Sequence, residues 1–193
     1  MTEKTLGYAL CGSFCTFSKT IPQIKELVNR GYKVLPIMSE TAYSTDTRFG
    51  KAEEFISEIE SITENKVIHT ISGAEPIGPK KMCDLLVVAP CTGNTLAKIA
   101  NGITDTSVTM AVKSHLRIKR PVLLCIATND GLGASAQNIG RLLNTRNIYF
   151  VPFGQDEPEN KPNSLVADFT MMPKCVRHAL LRNQTQPMIL GYS

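Results

Sequence analysis

Residues 92–95 form a short polar segment whose side chains could hold an anion. This Thr-Gly-Asn-Thr segment follows a continuous apolar run at 85–89 and precedes a helical pattern at 96–100. The apolar run predicts a buried parallel strand, which we expect Pro90 to end. Free N–H groups at the start of a helix attract anions, so a phosphate is the ligand that we expect this loop to bind. A plain capped turn is the alternative interpretation.

Three more polar loops follow apolar runs of the same kind. They are residues 11–16 with Gly12 and Ser13, residues 38–41 with Ser39, and residues 127–133 with Thr128. Each could be an ordinary turn, yet ligands of parallel α/β sheets bind beyond the carboxyl ends of the strands. Four largely uncharged loops at one edge predict a site for a phosphate joined to a large neutral ring, which FMN fits. None of them contains the G-x-G-x-x-G pattern typical of NAD sites.

Apolar runs of strand length alternate with helical periodicity, which predicts an α/β fold. The strand-like runs are residues 6–11, 34–38, 67–71, 85–89, 122–127 and 148–153, and helical spacing is found at 21–28, 55–62, 96–100 and 139–143. We predict a three-layer doubly wound parallel sheet, Rossmann or flavodoxin-like, in one domain covering residues 1–193. Pro22 is expected in the first turn of the first helix. The polar, proline-rich residues 154–193 predict an arm followed by a C-terminal helix near 174–181.

Composition argues against several classes of protein. The 193 residues are 42% hydrophobic without an apolar stretch long enough to cross a bilayer, so we expect a cytoplasmic protein without membrane contact. The net charge of +4 comes without a basic tract, which disfavours nucleic-acid binding. Six cysteines without a C-x-x-C pair predict reduced, mostly buried thiols and no metal site. His115 and His178 lie among charged residues and are expected on the solvated surface.

Ser39, residues 90–95 and residues 96–102 resemble the flavoprotein family of homo-oligomeric FMN-containing cysteine decarboxylases. That family usually reads P-A-S-A-N-T where this chain reads P-C-T-G-N-T. Together with the loop argument, the resemblance implies an FMN site formed by Gly12, Ser13, Ser39, Thr92, Asn94, Thr95 and Thr128. It also implies catalytic roles for His69 and Asn94, and a homo-oligomer built from trimers. The alternative for His69 is a structural hydrogen-bonding role, which is more common for a lone histidine.

Residues 127–130 depart from the decarboxylases, because they read A-T-N-D where that family carries a methionine-containing clamp. A peptide-cysteine substrate is therefore not expected. Residues 46–50, 74–80, 128–133 and 149–156 resemble the family of B subunits of the bacterial dipicolinate synthases. The resemblance implies a protein that acts with the A subunit of the synthase to oxidise dihydrodipicolinate, or its precursor, to dipicolinate in the mother cell of a sporulating bacterium.

A dicarboxylate substrate requires cationic partners. Arg48 is the leading candidate, because a guanidinium can grip a carboxylate through two hydrogen bonds, and Lys80 is the second. The alternative for Arg48 is a surface ion pair with Asp46 or Glu53. Two other functions stay open: an FMN-dependent decarboxylase, and a non-catalytic partner that stabilises the A subunit.

Overall fold

The computed structural model describes residues 4–191 and shows strands alternating with helices. The strands are β1 (Thr5–Leu10), β2 (Lys33–Met38), β3 (Leu85–Cys91), β4 (Val122–Thr128), β5 (Ile148–Phe150), β6 (Phe153–Gly154) and β7 (Leu165–Ala167). The helices are α1 (Phe17–Asn29), α2 (Glu40–Ser44), α3 (Ala52–Thr63), α4 (Ile71–Ala74), α5 (Gly93–Asn101), α6 (Ser107–Arg117), α7 (Ser135–Leu143) and α8 (Met172–Leu180). Short 3₁₀ turns lie at Phe14–Thr16, Glu75–Ile77 and Phe169–Met171.

The strands form one sheet of seven in which β2, β1, β3, β4, β7 and β6 lie side by side, while β5 also pairs with β4. Strands β1 to β5 pair in parallel, whereas β7 runs antiparallel to both β4 and β6. The order reverses between β1 and β3, as in flavodoxin-like folds, so the predicted fold class is confirmed. The sheet is mixed rather than wholly parallel.

Helices cover both faces of the sheet and complete three layers. On one face α1 packs against α3 and α8, and on the other α6 packs against α5, which also contacts α7. Every residue of β3 is buried, as expected of a central strand covered on both faces. No helix within residues 4–191 has the length and apolarity needed to cross a membrane.

Residues 67–71 do not form the predicted strand. Only Ile68 bridges to Ile37, with the Ile68 N–H donating to the Pro36 carbonyl at 3.0 Å. The Thr70 side chain then accepts a hydrogen bond from the Gly73 N–H and begins α4. The cap overrides the strand propensity of the isoleucines, because it satisfies a backbone donor that a helix start leaves free.

Two prolines lie further inside their elements than predicted. β3 continues through Pro90 to Cys91, where its register against β4 shifts, and an interrupted ladder tolerates a residue without an N–H. α1 begins at Phe17, so Pro22 lies inside the helix rather than in its first turn.

The segment after residue 154 is less arm-like than predicted. Residues 155–163 are a largely exposed polar loop, but β7 returns to the sheet, where Leu165 pairs with Thr128. α8 then buries Met172, Cys175 and Val176 in the core. The short β7 was missed because its pairing partner lies far away in the sequence.

The prediction that His115 is solvated is wrong, because its side chain is fully buried. It lies on the inner face of α6 with Val108, Ala111 and Val112. His178 is half-buried, and its Nδ1 lies 3.1 Å from the Thr185 hydroxyl. The predicted thiols are confirmed: all six cysteines are free and all but Cys15 are buried.

Candidate functional site

The strand order places the carboxyl ends of β2, β1, β3 and β4 next to one another. The four polar loops predicted from the sequence follow these ends. They therefore lie along a single edge of the sheet, at the position where α/β folds of this type bind ligands.

The loop after β1 is held in a tight turn. The Ser13 N–H donates to the Cys11 carbonyl at 2.8 Å, and the Thr16 hydroxyl donates to the Ser13 carbonyl at 2.7 Å. Gly12 is exposed, and a Cβ added to it would lie 3.7 Å from Thr41 at the start of α2. This geometry leaves the backbone of Gly12 and the hydroxyl of Ser13 at the edge of the sheet.

Ser39 ends β2 and caps α2. Its N–H donates to the Leu10 carbonyl at 3.0 Å, and its Oγ accepts from the Ala42 N–H at 3.2 Å. The neighbouring Glu40 carboxylate accepts from the Ser107 N–H at 3.0 Å. The Ser39 hydroxyl donates to no residue between 4 and 191, so its proton is available to an acceptor at the edge.

Thr92 caps α5 after β3. Its Oγ1 accepts from the Thr95 N–H at 3.2 Å and donates to the Thr95 hydroxyl at 3.1 Å. Asn94 is exposed, and its side chain makes no hydrogen bond with any residue between 4 and 191. Of these three side chains, Asn94 is therefore the one with all its polar groups available to a ligand.

Buried thiols lie beneath these loops. Burial raises the pKa of the Cys11 thiol to about 11, against weaker opposing hydrogen bonds from Thr95 and the Thr92 backbone. Burial also raises the pKa of the Cys91 thiol well above its ordinary value. Both thiols stay protonated at neutral pH, so the residues beneath the loops are uncharged and do not act as nucleophiles.

Thr128 at the end of β4 lies directly against the start of α5. A Cβ added to Gly93 would lie 2.7 Å from the Thr128 Oγ1 and 2.9 Å from the Ser135 Oγ, so only glycine permits this approach. Between α5 and α7 an open groove of about 550 Å³ is lined by Asn94, Asn101, Thr128, Asn129, Asp130, Ser135, Gln137, Asn138 and the adjoining glycine and alanines. Its lining contains no lysine or arginine, and hydroxyl and amide groups dominate it.

The loop after β4 is anchored by the C-terminal part of the chain. The Leu132 N–H donates to the Asn163 carbonyl at 3.0 Å, and a Cβ added to Gly131 would lie 2.6 Å from Leu165. The predicted loop residues thus keep their place at the edge through contacts with β7 and the segment before it.

His69 and Arg48 lie on the β2 side of this edge. The His69 ring stacks on Tyr43 of α2 with a centroid distance of 3.7 Å and an interplanar angle of 8°. Its Nδ1 lies 3.4 Å from the Val67 carbonyl oxygen. Arg48 is exposed on a turn after α2, with its guanidinium 4.9 Å from the centroid of the Phe49 ring.

Lys80 does not join the other predicted residues. It lies before β3. Asp84, the residue just before that strand, donates its N–H to the carbonyl of Thr5, with which β1 begins. Arg120, just before β4, donates to the Lys81 carbonyl. Lys80 is therefore near the amino ends of the strands, at the opposite edge of the sheet.

Sequence reasoning missed part of the groove wall. Asn101, Ser135, Gln137 and Asn138 lie on α5 and α7 rather than in the loops. The available signal was their position in the last turn of α5 and the first turn of α7, the helices that flank the polar loop after β4. Together the loops and the groove offer hydroxyl, amide and N–H donors, with one carboxylate at Asp130. N–H groups at helix starts and hydroxyls suit a phosphate ester, and the largely uncharged wall suits a neutral ring.

A sequence model of the family described as Flavoprotein matches residues 1–172. The chain belongs to the flavoprotein family. This flavoprotein-family chain is similar to the B subunit of dipicolinate synthase from Bacillus subtilis, at 46% identity over 97% of this chain and 94% of the relative. The crystal structure of the corresponding B subunit from Bacillus halodurans matches with 45% identity and a TM-score of 0.90, covering 98% of this chain and 97% of that one.

More distant structures share the fold of this flavoprotein-family chain. The FMN-dependent cysteine decarboxylase SpaF is 21% identical with a TM-score of 0.66, covering 93% of this chain and 96% of that one. DmrB of Burkholderia xenovorans, solved in complex with FMN and described as a cubic protein cage for redox transfer, is 17% identical with a TM-score of 0.70, covering 93% and 97%. At these identities the likeness concerns the fold alone.

Proposed function

We propose that this chain is the flavin-binding B subunit of a dipicolinate synthase, which works together with the A subunit to oxidise dihydrodipicolinate, or its precursor, to dipicolinate. The observation that carries the proposal is the single polar edge formed by four loops, in a chain that aligns over nearly its whole length with such a B subunit. The donors at that edge fit FMN, because hydroxyls and N–H groups at helix starts can hold its anionic phosphate and the largely uncharged loops suit its neutral ring.

In this proposal the hydroxyls of Ser13, Ser39 and Thr92 and the adjoining N–H groups hold the phosphate. The exposed backbone of Gly12 lets the cofactor approach, while Asn94, Thr95 and Thr128 contact the ring system. Bound FMN would supply a hydride acceptor, which aromatisation of a dihydropyridine requires.

The substrate groups lie on the β2 side of the cofactor edge. Arg48 binds one carboxylate, and Asn94 orients the substrate with its free amide. Removing two hydrogens as a hydride and a proton requires a base, and His69 is the proposed proton acceptor. Lys80 has no role in this site within one protomer, since it lies at the other edge of the sheet.

The similarity to a B subunit of dipicolinate synthase supports a partnership with an A subunit. We propose that both act in the cytoplasm of a sporulating cell. We also propose a homo-oligomer built from trimers. Light scattering of the purified chain at micromolar concentration checks this, and a monomer mass would contradict it.

Flavin binding by the purified chain tests the cofactor assignment. We expect FMN to bind with quenched fluorescence, and Asn94→Ala to weaken binding about tenfold without changing the melting temperature, because Asn94 supports no other residue between 4 and 191. Asn144→Ala is the matched control, since Asn144 is exposed at the other end of α7. Ser39→Ala is a less clean variant because it also removes the α2 cap.

Reconstitution with the A subunit then tests the reaction. We expect dipicolinate to form faster with the FMN-loaded chain present than with either protein on its own. A chain that refuses FMN yet supports full synthesis would favour a non-catalytic partner. Carbon dioxide release without dipicolinate would favour the decarboxylase.

A further inference from the structure

A second cavity, of about 290 Å³, lies beside the cofactor edge and is mainly aromatic. It is lined by Phe14, Cys15, Phe17, Ser18, Ile21, Pro22, Phe49, Phe55 and Glu58. Phe17 packs against Phe14 at 5.3 Å between centroids and edge-on against Phe55 at 5.0 Å. Since Cys15 comes two residues after Ser13, this cavity adjoins the loop to which the proposed function assigns FMN.

The turn that carries Arg48 and Phe49 is closed by three hydrogen bonds and contributes Phe49 to the cavity wall. Thr47 and Gly50 exchange N–H to carbonyl hydrogen bonds of 3.1 and 3.2 Å, and the Thr47 hydroxyl accepts from the Phe49 N–H. Gly50 has a φ of +146°, and a Cβ added to it would lie 2.7 Å from the Phe55 ring. The glycine therefore lets the turn rest directly on the aromatic cluster.

Arg48 has no counter-ion in the part of the chain the structure describes. No carboxylate of residues 4–191 lies within ion-pair distance of its guanidinium, and Asp46 instead accepts from the Ala52 N–H at 2.9 Å. The guanidinium packs on Phe49, whose ring is 46% exposed. The turn thus places an unpaired cation against an exposed aromatic ring, and that ring lines the cavity.

We propose that this aromatic cavity binds the ring of a flat cyclic dicarboxylate, with one carboxylate on Arg48. The inference deepens the proposed function, on which it rests for the identity of the substrate. Planar rings stack favourably on aromatic side chains, and the guanidinium fork matches a carboxylate. Glu58 at the cavity wall repels anions, so the second carboxylate points away from Glu58 and into solvent or the adjoining cofactor edge.

Cys15 provides a direct test, since it lines the cavity and is the exposed member of six free cysteines. Its alkylation by neutral iodoacetamide is measured without FMN, against increasing pyridine-2,6-dicarboxylate. Benzene-1,3-dicarboxylate tests the ring and charges without metal chelation, while pentanedioate lacks the ring and pyridine lacks the charges. We expect both aromatic dicarboxylates to slow alkylation and the other two probes to leave the rate unchanged at equal concentration.

Variants separate the two recognition elements. Arg48→Lys is expected to raise about tenfold the dicarboxylate concentration needed to slow alkylation of Cys15, because an ammonium keeps the charge but loses the planar fork. Phe49→Leu weakens protection by the aromatic probes, and Glu58→Gln strengthens it. Arg30→Lys is the control and leaves protection unchanged, since Arg30 is an exposed arginine just after α1 that pairs with Glu26.

Equal protection by pentanedioate, or wild-type protection in Arg48→Lys, would overturn the proposal. FMN is absent from this assay, so its outcome is independent of flavin binding. If the dicarboxylates fail to protect Cys15 of the wild-type protein but FMN binds normally, the cavity proposal alone is refuted. If they protect Cys15 but FMN does not bind, the cofactor assignment alone is refuted.

Discussion

Thr92→Ala separates the two roles of the Thr92 hydroxyl, which caps α5 and which we propose as an FMN ligand. The cap consists of the 3.2 Å bond accepted from the Thr95 N–H, and losing such a cap costs about 1 kcal/mol of unfolding free energy. A bond to a phosphate contributes about 1.5 to 3 kcal/mol, but the hydroxyl must give up its bond to the Thr95 hydroxyl, worth about 1 kcal/mol. The net loss of about 0.5 to 2 kcal/mol predicts FMN binding about 2- to 30-fold weaker.

Denaturant unfolding of the apoprotein and FMN titration of the folded protein measure the two effects separately. Thr92→Ser keeps the hydroxyl and should preserve both. Thr106→Ala is the matched control, because Thr106 caps α6 through the same pair of contacts with Thr109, at 3.1 and 2.8 Å. It should lose similar stability without losing FMN affinity. Wild-type FMN affinity in a destabilised Thr92→Ala protein would show that the hydroxyl only caps the helix.

Two other predictions concern packing and pH. Gly93→Ala should lower the free energy of unfolding by about 1 to 3 kcal/mol and weaken FMN binding, because the added Cβ would crowd Thr128. Gly140→Ala is the control: a Cβ there meets nothing within 4 Å, so the free energy of unfolding should stay the same or rise. Burial, reinforced by the charge of Arg120, lowers the pKa of His115 from 6.5 to about 4. Between these pH values the unfolded chain binds a proton that the folded chain does not. The free energy of unfolding should therefore fall by up to about 3 kcal/mol as the pH drops from 6.5 to 4, with no effect above 6.5. Unfolding free energies of wild type and His115→Gln across this range check it, and parallel curves would contradict it.

Local sequence patterns were sufficient to predict the four edge loops. An apolar run followed by a small polar residue that caps the next helix leaves a local signal, as at Ser39 and Thr92. The strand order that brings these loops together follows from the regular behaviour of α/β folds. Asn94 was singled out by type, and the structure adds that its amide is free.

The errors arose where distant contacts decide. β7 has only three residues, and its pairing with β4 depends on residues that local composition does not identify. Lys80 was chosen for its charge, but charge carries no information about which edge of the sheet a loop occupies. His115 is different, because the spacing of Val108, Ala111, Val112 and His115 already placed it on an apolar helix face. The charged neighbours of His115 obscured that signal.

The anchoring of the loop after β4 also sets an order of assembly. During synthesis the loops after β1, β2 and β3 can form early, whereas the contacts of Thr128, Gly131 and Leu132 with the later segment require that Asn163 and Leu165 have been made. A chain interrupted before that point leaves the carboxyl half of β4 as an open strand edge, available for pairing with other nascent chains. Capture of a ligand across all four loops would therefore require that translation has passed residue 165.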